Sequence, residues 1–241
     1  MNISNNKILI TGGASGIGLG LVERFVKENN TVIICGRRVS ALQEVIEKFP
    51  AVITKQCDLS SAEEREALFH WIAENHNDLS VLINNAGIQN WMTVSDSNFF
   101  QRAKDEIAIN IEAPLHLTSL FSQLTSLETV INVTSGLSFV PLTKVPVYSA
   151  TKAFFHSFTL SLQHLMKSKN IEVIELIPPA LNTDLGGKGL HDHAPPVSAF
   201  IDAVFEQLNQ GKTEITFGFS EAMTKAGPED IQKAFVRMNP E

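Results

Sequence analysis

One tyrosine and one lysine, four residues apart, form the pair in this chain that is best suited to chemistry. Tyr148 is the only tyrosine among 241 residues, and Lys152 follows it in a stretch that we predict to be helical from residue 148 to 168. A spacing of four residues places both side chains on one face of a helix. The pKa of an ordinary tyrosine, about 10, is too high for a base at neutral pH, and a neighbouring ammonium group lowers it. The pair therefore predicts acid–base chemistry, with Tyr148 exchanging a proton with a substrate oxygen.

Ser135 is a third candidate, because it ends a predicted strand thirteen residues before Tyr148. Its hydroxyl could hydrogen-bond the same substrate oxygen and share the charge that develops there. Each of the three residues also has an ordinary structural interpretation: a packed tyrosine, a solvated lysine and a serine that ends a strand. Their combination with the turn described next favours the catalytic interpretation.

A glycine-rich turn, Thr11-Gly12-Gly13-Ala14-Ser15-Gly16-Ile17-Gly18, lies between the first predicted strand and the first predicted helix. Glycines let a backbone approach a pyrophosphate, and the N-terminus of a helix offers free N–H groups and a favourable dipole. A purely structural turn is the alternative. The position after the first strand of a βαβ unit favours a dinucleotide site, with candidate contacts from Gly12, Ser15, Gly16, Ile17 and Gly18.

The end of the second predicted strand reads Cys35-Gly36-Arg37-Arg38. A carboxylate at this position would bind a ribose 2′-hydroxyl, whereas arginine accommodates a 2′-phosphate and can bind two of its oxygens at once. The sequence therefore predicts NADP(H) in preference to NAD(H), with Arg37 a better candidate than Arg38. The alternative is that both arginines are solvated surface residues.

Apolar runs of strand length alternate with longer amphipathic stretches, and the runs are rich in Val, Ile and Leu, as in strands buried on both faces. This alternation predicts the α/β class, as a Rossmann-like, doubly wound parallel sheet of about seven strands with helices on both faces. We expect one domain over residues 1–241, in which residues 182–196 form a substrate loop. Strands are predicted at 7–11, 31–35, 51–57, 80–84, 129–135, 171–177 and 213–217, and helices at 16–29, 40–49, 61–76, 96–125, 148–168 and 197–209.

Composition excludes several classes of protein. The net charge is −7 without a dense Lys/Arg run, which argues against nucleic acid as a partner. No apolar run approaches the roughly 20 residues of a membrane helix, and the polar N-terminus is unlike a signal peptide, so we expect a cytoplasmic protein without membrane insertion.

Cys35 and Cys57 are expected to be reduced and buried. His191-Asp192-His193 is a weak metal signal, and we expect no metal.

Together these motifs resemble the short-chain dehydrogenase/reductase family over essentially the whole chain. The resemblance adds the Asn84-Asn85-Ala86-Gly87 element and the Cys57-Asp58-Leu59 segment. Further segments resemble one oxidoreductase subgroup of that family, namely Ile34-Cys35-Gly36-Arg37, Lys55-Gln56-Cys57-Asp58, Asn84-Asn85-Ala86-Gly87-Ile88-Gln89 and Val133-Thr134-Ser135-Gly136-Leu137.

The resemblance implies a catalytic set of four residues, in which Asn110 anchors a proton-relaying water and Lys152 also holds the nicotinamide ribose. It implies a homodimer or homotetramer. The sequence departs from the family pattern at Pro179, which occupies the place of a glycine. The implied catalytic residues are Asn110, Ser135, Tyr148 and Lys152, and the further cofactor contacts are Asp58, Leu59, Asn85, Ala86, Gly87, Leu181 and Thr183.

The sequence thus predicts hydride transfer between a nicotinamide and a carbonyl or alcohol substrate. The alternative is a non-catalytic NADP(H)-binding sensor or scaffold on the same fold, because fold alone does not establish function. A sugar epimerase or dehydratase would have a different glycine spacing. The identity of the substrate depends on the shape formed by residues 138–147 and 182–196, which the sequence does not define.

Overall fold

A computed structural model describes residues 1–240 of the chain. Its centre is a seven-stranded sheet in which all neighbours pair in parallel, in the order β3-β2-β1-β4-β5-β6-β7. The predicted fold class is therefore confirmed. The strands are β1 (Lys7–Thr11), β2 (Thr31–Gly36), β3 (Ile53–Gln56), β4 (Val81–Asn84), β5 (Thr129–Val133), β6 (Glu172–Ile177) and β7 (Glu214–Thr216).

Helices connect the strands and cover both faces of the sheet. They are α1 (Gly16–Lys27), α2 (Val39–Lys48), α3 (Ala62–Asn75), α4 (Phe99–Ile107), α5 (Ala113–Phe121), α6 (Pro146–Leu165), α7 (Val197–Asn209), α8 (Phe219–Thr224) and α9 (Pro228–Met238). None of the helices within residues 1–240 is both long and apolar enough to cross a membrane.

The alternation of side chains along each strand produces two separate cores. On one face Ile8 and Ile10 pack in a cluster with Phe25 and Phe205, and on the other face Leu9 packs in a cluster with Phe121. Burial on both faces explains why the strands are apolar throughout. Cys35 and Cys57 are buried and unpaired in the second core, as expected.

The strand order reverses between β1 and β4, so connections leave these neighbours in opposite directions. A parallel sheet of this type binds ligands at the carboxyl ends of its strands beside such a switch point. The turn after β1, the segment after β4 and the segment after β5 all begin at this edge.

Two regions differ from the prediction. The stretch predicted as one helix over residues 96–125 is α4 and α5 separated by a π-helical turn at Ala108–Glu112. The two C-terminal helices α8 and α9 were not predicted. They pack over Val140 and form a small third core, with Met223 and Ala234 buried in it.

Candidate active site

A cleft of about 1810 Å³ runs along the carboxyl edge of the sheet. This exceeds the roughly 300–1,000 Å³ of an ordinary ligand pocket, which leaves room for a dinucleotide and a second small molecule. Most of the predicted site residues line it, namely Gly12, Ser15, Gly16, Ile17, Arg37, Arg38, Asp58, Leu59, Asn85, Ala86, Gly87, Ser135, Tyr148, Lys152, Leu181 and Thr183. Gly18 and Asn110 are absent from the lining.

The glycine turn at the start of α1 presents bare backbone to this cleft. Gly12 and Gly16 have φ angles of +65° and +53°, a region that favours glycine. A Cβ on Gly12 would lie 3.0 Å from the Cα atom of Ala86. The turn therefore forms a cradle that side chains would fill, beside the unpaired N–H groups that begin α1.

Gly18 has a structural role that differs from the predicted phosphate contact. A Cβ on this residue would lie 2.3 Å from the carbonyl oxygen of Gly12. The glycine is needed because α1 packs against the turn itself. Asn85 also supports the turn, because its Nδ2 donates hydrogen bonds of 2.8 Å to the Thr11 carbonyl and 3.3 Å to the Gly12 carbonyl.

At the far end of the cleft, β2 ends at Gly36 and is followed by the exposed side chains of Arg37 and Arg38. Asp58 lies across from them. Its carboxylate accepts hydrogen bonds from the backbone N–H and the hydroxyl of Ser60, at 3.0 and 2.8 Å. These bonds lower the pKa of Asp58, and the charge of Arg37 lowers it further. The carboxylate is therefore ionised and fixed.

Tyr148 lies in the first turn of α6 and is only 6% exposed. Burial raises its pKa above the ordinary value, while a hydrogen bond with Ser135 opposes the rise and the charge of Glu106 adds to it. The sequence predicted a lowered pKa, but in the structure the pKa is raised, because burial disfavours the charged phenolate. Tyr148 is thus a protonated hydrogen-bond donor at neutral pH.

Lys152 lies one helical turn after Tyr148, with its Nζ 5.6 Å from the centre of the tyrosine ring. The ammonium group donates a 2.8 Å hydrogen bond to the carbonyl of Val133, the last residue of β5. Burial lowers the pKa of Lys152 to about 8. The side chain therefore remains mostly charged at pH 7 and is held at the end of the strand that leads to Ser135.

Asn110 lies behind the cleft, on the π-helical turn. Its Oδ1 accepts a 2.9 Å hydrogen bond from the N–H of Ile88, and its Nδ2 donates to the Ile88 carbonyl at 2.9 Å and to the Thr151 hydroxyl at 3.1 Å. A π-helical turn is a frequent mark of functional sites. The geometry shows Asn110 joining the segment after β4 to α6, beside Lys152.

Part of the predicted loop at residues 182–196 lines the cleft. Leu185, Gly186, Leu190 and His191 line it, and the His191 imidazole contacts the Leu185 carbonyl at 3.1 Å. Pro179 also lines the cleft. Within residues 1–240, no group of His, Cys, Asp and Glu side chains is arranged to hold a metal.

Glu106 is a buried charge near the site that the sequence prediction missed. Its side chain is fully buried on α4, and its Oε1 accepts a 2.5 Å hydrogen bond from the N–H of Asn90. Burial raises the pKa of this carboxyl group. The spacing of four residues between Glu106 and Asn110 was the available signal, because it places both on one face of a helix.

The parallel sheet, the glycine turn and the Tyr148–Lys152 pair are together typical of one class of enzyme, and comparison with known proteins identifies the same class. The family model for short chain dehydrogenases matches residues 6–193. The chain belongs to the short-chain dehydrogenase family and is an oxidoreductase.

One relative within this family is similar to the chain over almost its whole length. The uncharacterized oxidoreductase DltE of Bacillus subtilis (strain 168) is 39% identical, covering 99% of this chain and 98% of DltE. The subgroup that the four further sequence segments resemble is that of DltE, so the resemblance is confirmed.

Solved structures agree with the fold. A short chain dehydrogenase from Burkholderia cenocepacia J2315 in complex with NADP is 25% identical, with a TM-score of 0.85 and 99% coverage of both chains. A short chain dehydrogenase/reductase from Burkholderia phymatum in complex with NAD is 16% identical, with a TM-score of 0.82 and coverage of 100% of this chain and 98% of its own. The second likeness shows the fold alone.

Proposed function

We propose that this chain is an NADP(H)-dependent reductase or dehydrogenase that interconverts a carbonyl and an alcohol, with Tyr148 as the acid–base residue. One observation carries the proposal. A protonated tyrosine beside Ser135, with a mostly charged lysine one helical turn away, lines a cleft large enough for a dinucleotide and a substrate. A carbonyl oxygen placed between the Tyr148 and Ser135 hydroxyls would receive two hydrogen bonds.

The raised pKa of Tyr148 suits the direction of carbonyl reduction. A protonated phenol can give its proton to the carbonyl oxygen as negative charge develops there, and Ser135 can stabilise that charge. The Lys152 ammonium would stabilise the resulting phenolate across the short distance to the ring. In the reverse direction the phenolate would take the proton of the alcohol.

The residues of the cleft suit a dinucleotide. The glycine cradle and the start of α1 would hold the pyrophosphate, Asp58 and Leu59 would contact the adenine, and Lys152 would hold the nicotinamide ribose. Ala86, Gly87, Leu181 and Thr183 are the proposed neighbours of the nicotinamide half. When bound, the cofactor would supply or accept the hydride.

The preference for NADP(H) is supported by the residues after β2. Gly36 brings no carboxylate to the position where a ribose 2′-hydroxyl would be bound, and Arg37 and Arg38 both line the cleft there. A guanidinium group can bind two phosphate oxygens in parallel. The carboxylate of Asp58 also lies nearby, and its Oδ1 is held by the N–H and the hydroxyl of Ser60.

A homodimer or homotetramer is also proposed. Exposed apolar side chains on α4 and α6 support it, with Phe100 76% exposed, Ile107 38% and Phe154 43%. Large apolar side chains that share a surface are typical of interfaces. Light scattering is expected to give at least twice the monomer mass of 26.5 kDa. A mass that stays at the monomer value over a broad concentration range contradicts this proposal.

Oxidation of NADPH in the presence of a panel of ketones and aldehydes tests the function. We expect turnover with at least one class of carbonyl compound, and slower turnover with NADH. Tight NADPH binding without turnover on any compound would favour the alternative, a sensor or scaffold on the same fold.

A further inference from the structure

The indole N–H of Trp91 is a buried donor that the fold leaves without a partner. Trp91 lines the cleft, and no acceptor within residues 1–240 hydrogen-bonds its Nε1. Leaving a buried donor unpaired is costly, so a native structure that keeps one needs a reason for it. Three buried side-chain atoms within residues 1–240 lack partners, namely Asn84 Oδ1, Trp91 Nε1 and Glu106 Oε2, and of these three residues only Trp91 lines the cleft.

A second donor converges with the first. A Cβ on Gly186 would lie 2.9 Å from Gln89 Nε2 and 3.1 Å from Trp91 Nε1. That point is one bond from the Gly186 Cα, so an acceptor atom could lie within hydrogen-bond distance of both nitrogens there only if Gly186 moved aside. Gln89 as a whole residue is 9% exposed, and its amide nitrogen, unlike Trp91 Nε1, is not among the fully buried atoms that lack a partner. Gly186 covers the two donors without a side chain, at a φ of +79°.

The segment that carries these donors, residues 88–92, is held by its backbone. Asn110 binds both backbone groups of Ile88, Glu106 accepts from the N–H of Asn90, and Arg102 Nη2 donates to the Trp91 carbonyl at 2.8 Å. The N–H of Met92 donates to the Lys144 carbonyl at 3.1 Å. The backbone is fixed at four residues, so the Gln89 and Trp91 side chains are positioned without using their own polar atoms.

The same segment passes the catalytic lysine. A Cβ on Gly87 would lie 3.7 Å from Lys152 Nζ, two residues before Gln89. A substrate bound at Tyr148 and long enough to reach this part of the cleft wall would meet the paired donors. Both donors are neutral, which favours an uncharged acceptor oxygen over an anionic group.

We infer that Gln89 and Trp91 form the second anchor of the substrate pocket and bind an uncharged acceptor oxygen a few atoms from the reacting carbonyl. The inference rests on the proposed function, because it names the substrate class of the same cleft. The fitting class is a carbonyl compound with a second carbonyl, ester or hydroxyl oxygen. Gly186 and its neighbours must shift by the width of one atom to admit it.

Kinetics with matched probes test the inference. Ethyl 3-oxobutanoate carries an ester two carbons from its ketone, whereas 2-heptanone has a similar length without the ester. In Trp91→Phe and in Gln89→Met, we expect the KM for the keto ester to rise about 3- to 10-fold, with kcat little changed and the KM for 2-heptanone within about twofold of wild type. The control is Trp71→Phe, because Trp71 lies on α3 and packs against Lys55. Equal effects on both probes, or none, would overturn the inference.

A binding measurement separates this inference from the proposed function. The chain has two tryptophans, so Trp71→Phe leaves Trp91 as the only indole. With oxidised NADP present, a ketone cannot be reduced, and its binding is read directly from Trp91 emission. We expect a saturable change with ethyl 3-oxobutanoate, a much weaker one with 2-heptanone or 3-oxobutanoate, and about 3- to 10-fold weaker ester binding when Gln89→Met is added.

Turnover tests the proposed reductase function, whereas the change in Trp91 emission tests the donor pair, and either one can be absent without the other. An ester-selective emission change without turnover would support the donor pair while contradicting the reductase. Turnover with an emission that does not respond to the ester, or responds more strongly to the carboxylate, would retain the reductase and reject the donor pair.

Discussion

Replacement of Arg37 by leucine tests the cofactor preference. Arg37 is exposed and follows the end of β2, and its charge reaches the fixed carboxylate of Asp58 across the cleft. A hydrogen bond to a charged group contributes about 1.5–3 kcal/mol, which corresponds to about 10- to 150-fold in affinity. Solvent weakens such contacts at exposed positions, so the lower end applies. We expect the KM for NADPH to rise roughly 10- to 30-fold.

The assay compares NADPH and NADH in the same variant at low ionic strength. Leucine removes the charge and keeps an apolar stem, so the KM for NADH and the kcat with saturating NADPH should change less than about threefold. Added salt should reduce the difference between wild type and variant, because it screens the exposed pair. Arg38→Leu is the matched control and should have the smaller effect. Equal losses with both cofactors, or no loss with NADPH, would refute the assignment of Arg37 to the 2′-phosphate.

Three further predictions follow from the geometry. Gly36→Asp should shift the ratio of the kcat/KM with NADH to that with NADPH at least tenfold toward NADH, because the new carboxylate repels a 2′-phosphate. The side chain fits, since a Cβ there meets only a Leu42 methyl at 3.8 Å. An unchanged ratio would contradict the role of this position in cofactor choice. The kcat/KM for carbonyl reduction should fall as the pH rises through about 8, because buried Lys152 then loses the charge that stabilises the phenolate. A flat pH profile between 7 and 9.5 would argue against this role of Lys152. Gly18→Ala should lower the free energy of unfolding, measured in urea, by about 1–3 kcal/mol because the new methyl group overpacks the turn. Gly227→Ala is the control and should have little effect, since the space around its Cβ is open. Equal stabilities of the two variants would show that the close approach at Gly18 is unimportant.

Much of the fold could be predicted from the sequence because local pattern and long-range packing agree. Strands buried on both faces read as apolar runs, and all seven predicted strands are present within a few residues of their predicted ends. The helix α9 also had signals that the prediction did not use. It starts with Pro228, has acidic residues in its first turn, and places Ile231, Ala234 and Phe235 on one face.

Other features depend on contacts that no sequence pattern expresses. The π-helical turn that carries Asn110 interrupts an otherwise helical stretch. Pro114, at the start of α5, signals a break there because proline has no N–H to donate, but it does not specify the π-helical geometry. The pKa of Tyr148 was predicted from the spacing to Lys152, but burial of the phenol raises it. The separation of Gly18 from the cleft and the convergence of Gln89 with Trp91 both arise from chain segments distant in sequence.

The central claim is that Tyr148 exchanges the substrate proton while other residues hold the cofactor. Tyr148→Phe removes only the hydroxyl, and the chain contains no other tyrosine that could replace it. Loss of positioned acid–base catalysis should lower kcat for carbonyl reduction by about 10²–10⁴-fold. The Kd for NADPH, measured by titration of the same variant, should stay within about threefold of wild type. Turnover near the wild-type rate in Tyr148→Phe would contradict the mechanism.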